Sequence, residues 1–146
     1  MSDLAASLQS AMHAARKAQD RERTLVLGTI IANLKNRRIE LRREPTDDEV
    51  LEVLRKGIKT RRESVEQFEK ASRNDLVAAE QGQIRVLEEF LPPAVDPAEI
   101  RAAVRSAIAA GATDIGKVMG QVLPRFKGRA DGKEINAIAR EELQKG

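Results

Sequence analysis

Thr46-Asp47-Asp48-Glu49, followed by Val50-Leu51-Glu52-Val53-Leu54, is the stretch whose reading decides the fold. A threonine three residues ahead of a glutamate, just before an apolar run, fits a capping box: the hydroxyl accepts from the Glu49 backbone N–H and the Glu49 carboxylate reaches back. The acidic run also suits the positive end of a helix dipole. Leu51, Leu54, Ile58, Val65 and Phe68 continue as a stripe at helical spacing, which predicts one long helix to about residue 72. Upstream, Glu44-Pro45 ends an earlier helix, because the residue before proline disfavours the helical region. That helix starts at an Asp20 cap and carries Leu27, Ile30, Ile31, Leu34 and Leu41. A first helix, capped by Ser2 or Asp3 and running to about Lys17, places Leu4, Leu8, Met12 and Ala15 on one face.

Downstream, Asn74 is expected to cap a fourth helix carrying Leu76, Ile84, Leu87 and Phe90 toward Pro92-Pro93. Leu91-Pro92-Pro93-Ala94-Val95-Asp96-Pro97 then reads as a stiff connector, since its prolines cannot continue a helix. Asp96 with Pro97 behind it opens the next helix, which ends at Gly111. Asp114 caps a short helix through Leu123, stopped by Pro124. Asp131 caps a last helix with Ile135, Ile138 and Leu143 inward. No alternating β-branched run suggests a sheet. The expected fold is all-α: a helical domain of about four helices over residues 1–91, a proline-rich linker at 92–97, and a three-helix domain over 98–146.

Of the 146 residues, 41% are hydrophobic and 34% charged, a balance suited to slim helical bundles. Aromatic residues are only 2%, so the core must be aliphatic and there is little for bases to stack on. With no cysteine, disulfides, thiolate metal sites and cysteine nucleophiles are excluded. His13 is the one histidine, so a transition-metal site would need carboxylates to supply nearly every ligand, and a surface histidine is the plainer reading. Ser64, Ser72 and Ser106 have no histidine pattern to activate them. Carboxylate pairs such as Asp47/Asp48 and Glu141/Glu142 fall at predicted helix ends, where capping and solvation account for them. Neither a phosphate-binding loop nor a dinucleotide turn is present. No cofactor and no metal are expected. The start of the chain lacks a signal-peptide pattern, and no run approaches a membrane span, so a soluble, cytoplasmic protein is expected.

The net charge of +3 is unevenly placed. Residues 1–96 hold 17 basic and 17 acidic side chains, whereas residues 97–146 hold 9 basic and 6 acidic ones. A small basic domain on a neutral one is compatible with a polyanionic partner. The main constellation is Gly116-Lys117-Val118-Met119-Gly120 followed by Lys127-Gly128-Arg129-Ala130-Asp131-Gly132-Lys133. Gly116 and Gly120, with Met119 beside them, give a helix face that another backbone can approach closely. Lys127, Gly128, Arg129 and Lys133, with Lys117 nearby, surround a turn that leads into a helix N-terminus. Free N–H groups, the dipole and the cations together suit a phosphate; a plain capped turn with exposed lysines fits the same residues. A second basic patch, Lys35, Arg38 and Arg42 with Arg37 and Arg43, reads either as a phosphate track or as a solvated helix end. Arg55, Lys59 and Arg62 lie close to Glu52, Glu63 and Glu66 and read as salt-bridge lacing. Arg61 falls on the apolar stripe itself, which leaves open a snorkelling stem, a buried polar contact or an interface.

In these blocks the chain resembles the GatB/YqeY family, small free-standing proteins related to the tail of the B subunit of glutamine-dependent tRNA amidotransferase. The resemblance runs through Thr46-Asp47-Asp48-Glu49-Val50, Arg61-Arg62-Glu63-Ser64 to Gln67-Phe68, Asn74-Asp75-Leu76, Leu91-Pro92, Gly111-Ala112, Gly116–Gly120 and Lys127–Gly132. One departure is Ala71-Ser72-Arg73, where the resemblance leads one to expect glycine at position 72. The resemblance implies a bacterial protein with a helical N-terminal module and a compact three-helix tail. In the amidotransferase the similar tail helps to hold tRNA. It also implies an inherited label of carbon–nitrogen ligase with glutamine as nitrogen donor, for which no chemistry-bearing residues are visible in this sequence. The expected function is a non-catalytic accessory protein binding tRNA or another structured RNA through its tail. The alternative is a docking component of an amidotransferase assembly, with amidotransferase subunits or other proteins as partners. Membrane partners are not expected.

Overall fold

The structure is a computed structural model that describes residues 1–127 and 129–145. It is all-α: seven α-helices and one 3-10 helix, with no strand among the described residues. The helices are α1 Asp3–Lys17, α2 Arg21–Leu41, α3 Asp47–Lys70, α4 Asn74–Glu88, α5 Pro97–Ala109, α6 Ile115–Val122 and α7 Gly132–Lys145. The chain divides into two compact units, Met1–Leu91 and Pro92–Gly146.

In the first unit α1 pairs with α2 and α3 pairs with α4. Leu8, Leu27, Ile30, Leu54 and Leu87 are fully buried at the centre, with Val26 and Val50. The Thr46 capping box forms in both directions, the Glu49 N–H donating to Thr46 Oγ1 at 3.3 Å and the Thr46 N–H to Glu49 Oε1 at 3.0 Å. Arg43 adds a two-pronged contact to the same carboxylate, at 2.7 and 3.0 Å. The Arg43 guanidinium first, then the Thr46 N–H, hold the Glu49 carboxyl down at about 2. Asp47 acts at a distance as well: its Oδ1 accepts from the Leu4 N–H at 3.1 Å, so a residue of α3 caps α1.

Asn74 is not the cap of α4. The cap position is Arg73, whose side chain makes no capping hydrogen bond to the helix backbone; its guanidinium instead clasps the Asp75 carboxylate. The turn before it closes by Arg73 N–H donating to the Phe68 carbonyl at 2.9 Å, with Ser72 in the left-handed region at φ 56°. That is the position where glycine was expected, and the conformation shows why: without a Cβ the left-handed backbone carries no steric cost. Gln19 and Arg42 end α1 and α2 with the same conformation.

In the second unit α5, α6 and α7 pack around Ile100, Val104, Val118, Val122, Phe126 and Ile135. Val95, from the proline-rich stretch, is buried in this core. Asp96 accepts from the Ala98 N–H with Pro97 in the first turn. α6 ends at Val122, ahead of Pro124 as expected, though the chain goes on in a tighter helix. A 3-10 helix, Leu123–Phe126, follows α6 directly, with proline in its first turn where its missing N–H costs nothing, and it delivers Phe126 into the core.

Glu142 departs most from expectation. It is only 7% exposed, and both Arg101 and Arg105 of α5 bond to it, with Lys145 at 3.4 Å. Capping and solvation therefore do not account for it; it ties α7 to α5. The Arg105 and Arg101 guanidinium groups lower its carboxyl to about 2 against the opposing effect of burial.

Candidate functional site

The turn at the start of α7 is built on Phe126, whose carbonyl accepts from the Arg129 N–H at 2.9 Å and the Ala130 N–H at 3.0 Å. Gly128, expected to contribute here, lies outside the described residues. Asp131 caps α7, accepting from the Lys133 N–H at 3.0 Å, and Glu134 sits in the first turn. The helix thus meets its positive end partly with its own carboxylates. What remains for an anion is chiefly the side-chain cations. Lys117, Lys127, Arg129 and Lys133 are all exposed. Arg129 lies over the Phe126 ring at 5.9 Å and 3.7 Å from Glu99, and Lys117 is 3.8 Å from Asp114. Lys127 and Lys133 have no ion-pair partner among the described residues. Arg125, exposed on the 3-10 helix two residues before Lys127, is a further cation that the sequence reading did not select. Its proximity in sequence to the lysine turn was the signal available.

Gly116 and Gly120 are exposed on α6. A Cβ built on Gly120 would meet nothing within 4 Å, and one on Gly116 only Asp114 Oδ1 at 3.4 Å. Among the described residues no helix of the unit uses that close approach. Met119, expected beside the two glycines, packs against the core of the second unit.

In the first unit the second basic patch is largely answered by carboxylates. Arg37 reaches Glu40 at 3.1 Å, Arg38 reaches Glu44 at 3.3 Å and Arg43 is held by Glu49. Lys35 and Arg42 are exposed without an ion-pair partner among the described residues. Arg62 pairs with Glu88 of α4 at 3.5 Å instead of a glutamate on its own helix. Arg61, the residue on the apolar stripe, makes a half-buried polar contact: Nε donates to Gln83 Oε1 at 2.9 Å and Nη1 to the Gly57 carbonyl at 3.0 Å. His13 is exposed, and no group of three or more histidine, aspartate or glutamate side chains among the described residues could hold a metal. No helix among the described residues is long and apolar enough to cross a membrane.

The fold is all-α, and the start of α7 carries two exposed lysines, Lys127 and Lys133, without ion-pair partners among the described residues. A model of the YqeY-like proteins matches residues 5–143, and the chain belongs to that family. It is similar to fungal proteins named "altered inheritance of mitochondria protein 41, mitochondrial". That of Pyrenophora tritici-repentis is 38% identical over 94 residues, covering 61% of this chain and 52% of the relative. That of Lachancea thermotolerans is 30% identical over 105 residues, 70% of this chain and 56% of the relative. That of Eremothecium gossypii is 30% identical over 90 residues, 61% and 49%. The chain spans about half the length of these curated relatives. The expectation of a bacterial protein is corrected by them: they are eukaryotic, and their names place them in the mitochondrion.

Proposed function

We propose that this protein is a non-catalytic accessory factor that binds structured RNA, tRNA in the first place, through the start of α7. The observation that carries the reading is the pair Lys127 and Lys133, exposed and without an ion-pair partner among the described residues, with Arg129 in the same turn and Lys117 exposed on α6 of the same unit. Lysine and arginine side chains so placed neutralise phosphates without reading bases, which suits a chain with 2% aromatic residues. Recognition then rests on backbone and shape. The fungal relatives' names suggest the mitochondrion as the place of work. The test is binding of unfractionated tRNA to the full chain, wild type against Lys127→Ala/Arg129→Ala/Lys133→Ala. The variant should bind about tenfold or more weakly, since several phosphate contacts are lost together. Unchanged affinity in a folded variant contradicts the reading.

A second reading follows from Gly116 and Gly120: an exposed helix face with no Cβ, open above Gly120, suits docking of a protein helix. The partner would be a subunit of a glutamine-dependent amidotransferase, with the carbon–nitrogen ligase chemistry held by that partner. Capture that survives nuclease treatment and is abolished by Gly120→Leu supports it. Capture unchanged by that substitution contradicts it.

A further inference from the structure

Between α2, α3 and α4 runs an open groove of about 690 Å³, a volume in the range of ligand sites. Arg61 lies in it, and its environment is unusual for this protein. Arg23, Arg37, Arg43 and Arg62 of the same unit each reach a glutamate. Arg61 is half-buried yet held only by neutral acceptors, the Gln83 carboxamide and the Gly57 carbonyl, with no carboxylate at ion-pair distance among the described residues. Gly57 leaves room beside the guanidinium: a Cβ there would come 3.3 Å from Arg61 Nη1, while its tightest contact, 2.8 Å, would be with Ile30 Cδ1. The guanidinium is thus fixed on one side and has N–H groups left over on the other. A rigid fork of this kind is matched by a carboxylate.

The rest of the groove narrows the ligand. Arg37, Lys56 and Arg61 are balanced by Glu40, Glu52 and Glu80, so the lining has no positive excess to attract a polyanion. Two hydroxyls on its wall have already committed their protons: Thr60 Oγ1 donates to the Lys56 carbonyl at 3.0 Å and Ser64 Oγ to the Thr60 carbonyl at 3.3 Å. Towards a ligand they therefore act as acceptors, for N–H groups. Asn33 and Asn36 of α2 add carboxamides that both donate and accept. A single carboxylate flanked by N–H and C=O groups, without large net charge, is the chemistry of a peptide chain at its C-terminal end.

We propose that this groove binds the C-terminal carboxylate end of an extended polypeptide, with Arg61 taking the carboxylate. The site is independent of the RNA reading, which rests on the other unit. The test titrates the ¹⁵N-labelled full chain with a mixed pool of short peptides bearing free C-termini, and with the same pool C-terminally amidated. The free pool should shift the Arg61 Nε–H, Gly57 and Gln83 resonances, and the amidated pool should bind about tenfold or more weakly, the size of a lost charge-assisted bond. Arg61→Lys keeps the charge but loses the fork and should weaken the free pool by a similar factor. Asn36→Asp, an exposed change that leaves the core alone, should also weaken it by placing a like charge in the groove, and it serves if the Arg61 variant does not fold. Equal binding of both pools, no response to either, unchanged affinity in a folded variant, or the same resonances answering a short RNA in place of the peptides would overturn the proposal.

Discussion

Alanine at Gly57 and alanine at Gly120, made separately, are the same chemical change inside two helices, and the structure predicts opposite signs. On backbone propensity alone each replacement should stabilise by about 0.5–1 kcal/mol, because glycine loses more freedom in a helix. At Gly120 a new Cβ meets nothing within 4 Å, so that gain should appear in full. At Gly57 the new Cβ falls 2.8 Å from Ile30 Cδ1 and 3.6 Å from Leu87 Cδ1. Ile30 and Leu87 are both fully buried, so the methyl group of Ile30 can move only by displacing other core atoms. Overpacking of this sort costs about 1–3 kcal/mol. Gly57→Ala is thus expected to cost up to about 2 kcal/mol net, and the two variants should differ by about 1–3 kcal/mol. Amide hydrogen exchange on the full chain measures the opening free energy of each unit separately. If Gly57→Ala stabilises the first unit as much as Gly120→Ala stabilises the second, the close approach of α2 to α3 is wrong.

Two further outcomes are expected. Ser72→Gly should stabilise the first unit by roughly 0.5–1 kcal/mol: relief of the left-handed backbone is partly offset by the freer unfolded glycine, and a denaturant midpoint followed by circular dichroism checks it. Glu142, ionised down to about pH 2 in the folded chain against an ordinary value of 4.5, holds a proton less readily folded than unfolded. Its contribution should therefore be complete above pH 4.5 and fade as pH falls toward 2. Exchange protection of α5 and α7 should weaken over that window, and Glu142→Gln should flatten the dependence.

Local signals in the sequence carried the helices. Ser2, Asp20, Thr46, Asp96 and Asp114 each accept from a backbone N–H in the first turn they were expected to cap. Each needs only neighbours within a few residues, and for that reason such caps can be read from a string of residues. The tertiary polar contacts could not be. Asp47 capping α1 joins residues 43 apart, and nothing near Asp47 announces it. Glu142 did leave a trace. It continues the spacing of Ile135, Ile138 and Ala139, all buried, and so occupies an apolar position with a charge. Arg61 does the same between Ile58 and Val65. In both cases a charged residue in the stripe marked a partnered polar contact, while its partners, Arg101 and Arg105 or Gln83, lay on another helix beyond the reach of periodicity. The lysines at the start of α7 stand consecutive with the turn, and Asp131 as the cap of that helix was legible in the same way; that Lys127 and Lys133 are left without an ion-pair partner among the described residues was visible only in the folded geometry.

The RNA reading stands most directly on the salt dependence of tRNA binding. Four phosphate contacts, from Lys117, Lys127, Arg129 and Lys133, predict that the logarithm of affinity falls with the logarithm of salt at a slope of about −3 to −4. Lys127→Ala/Lys133→Ala, which removes the two of these four cations that have no carboxylate partner among the described residues, should make that slope shallower by about 2 and weaken binding of different RNA sequences alike. A wild-type slope near zero, or the same slope in the double variant, would contradict the account.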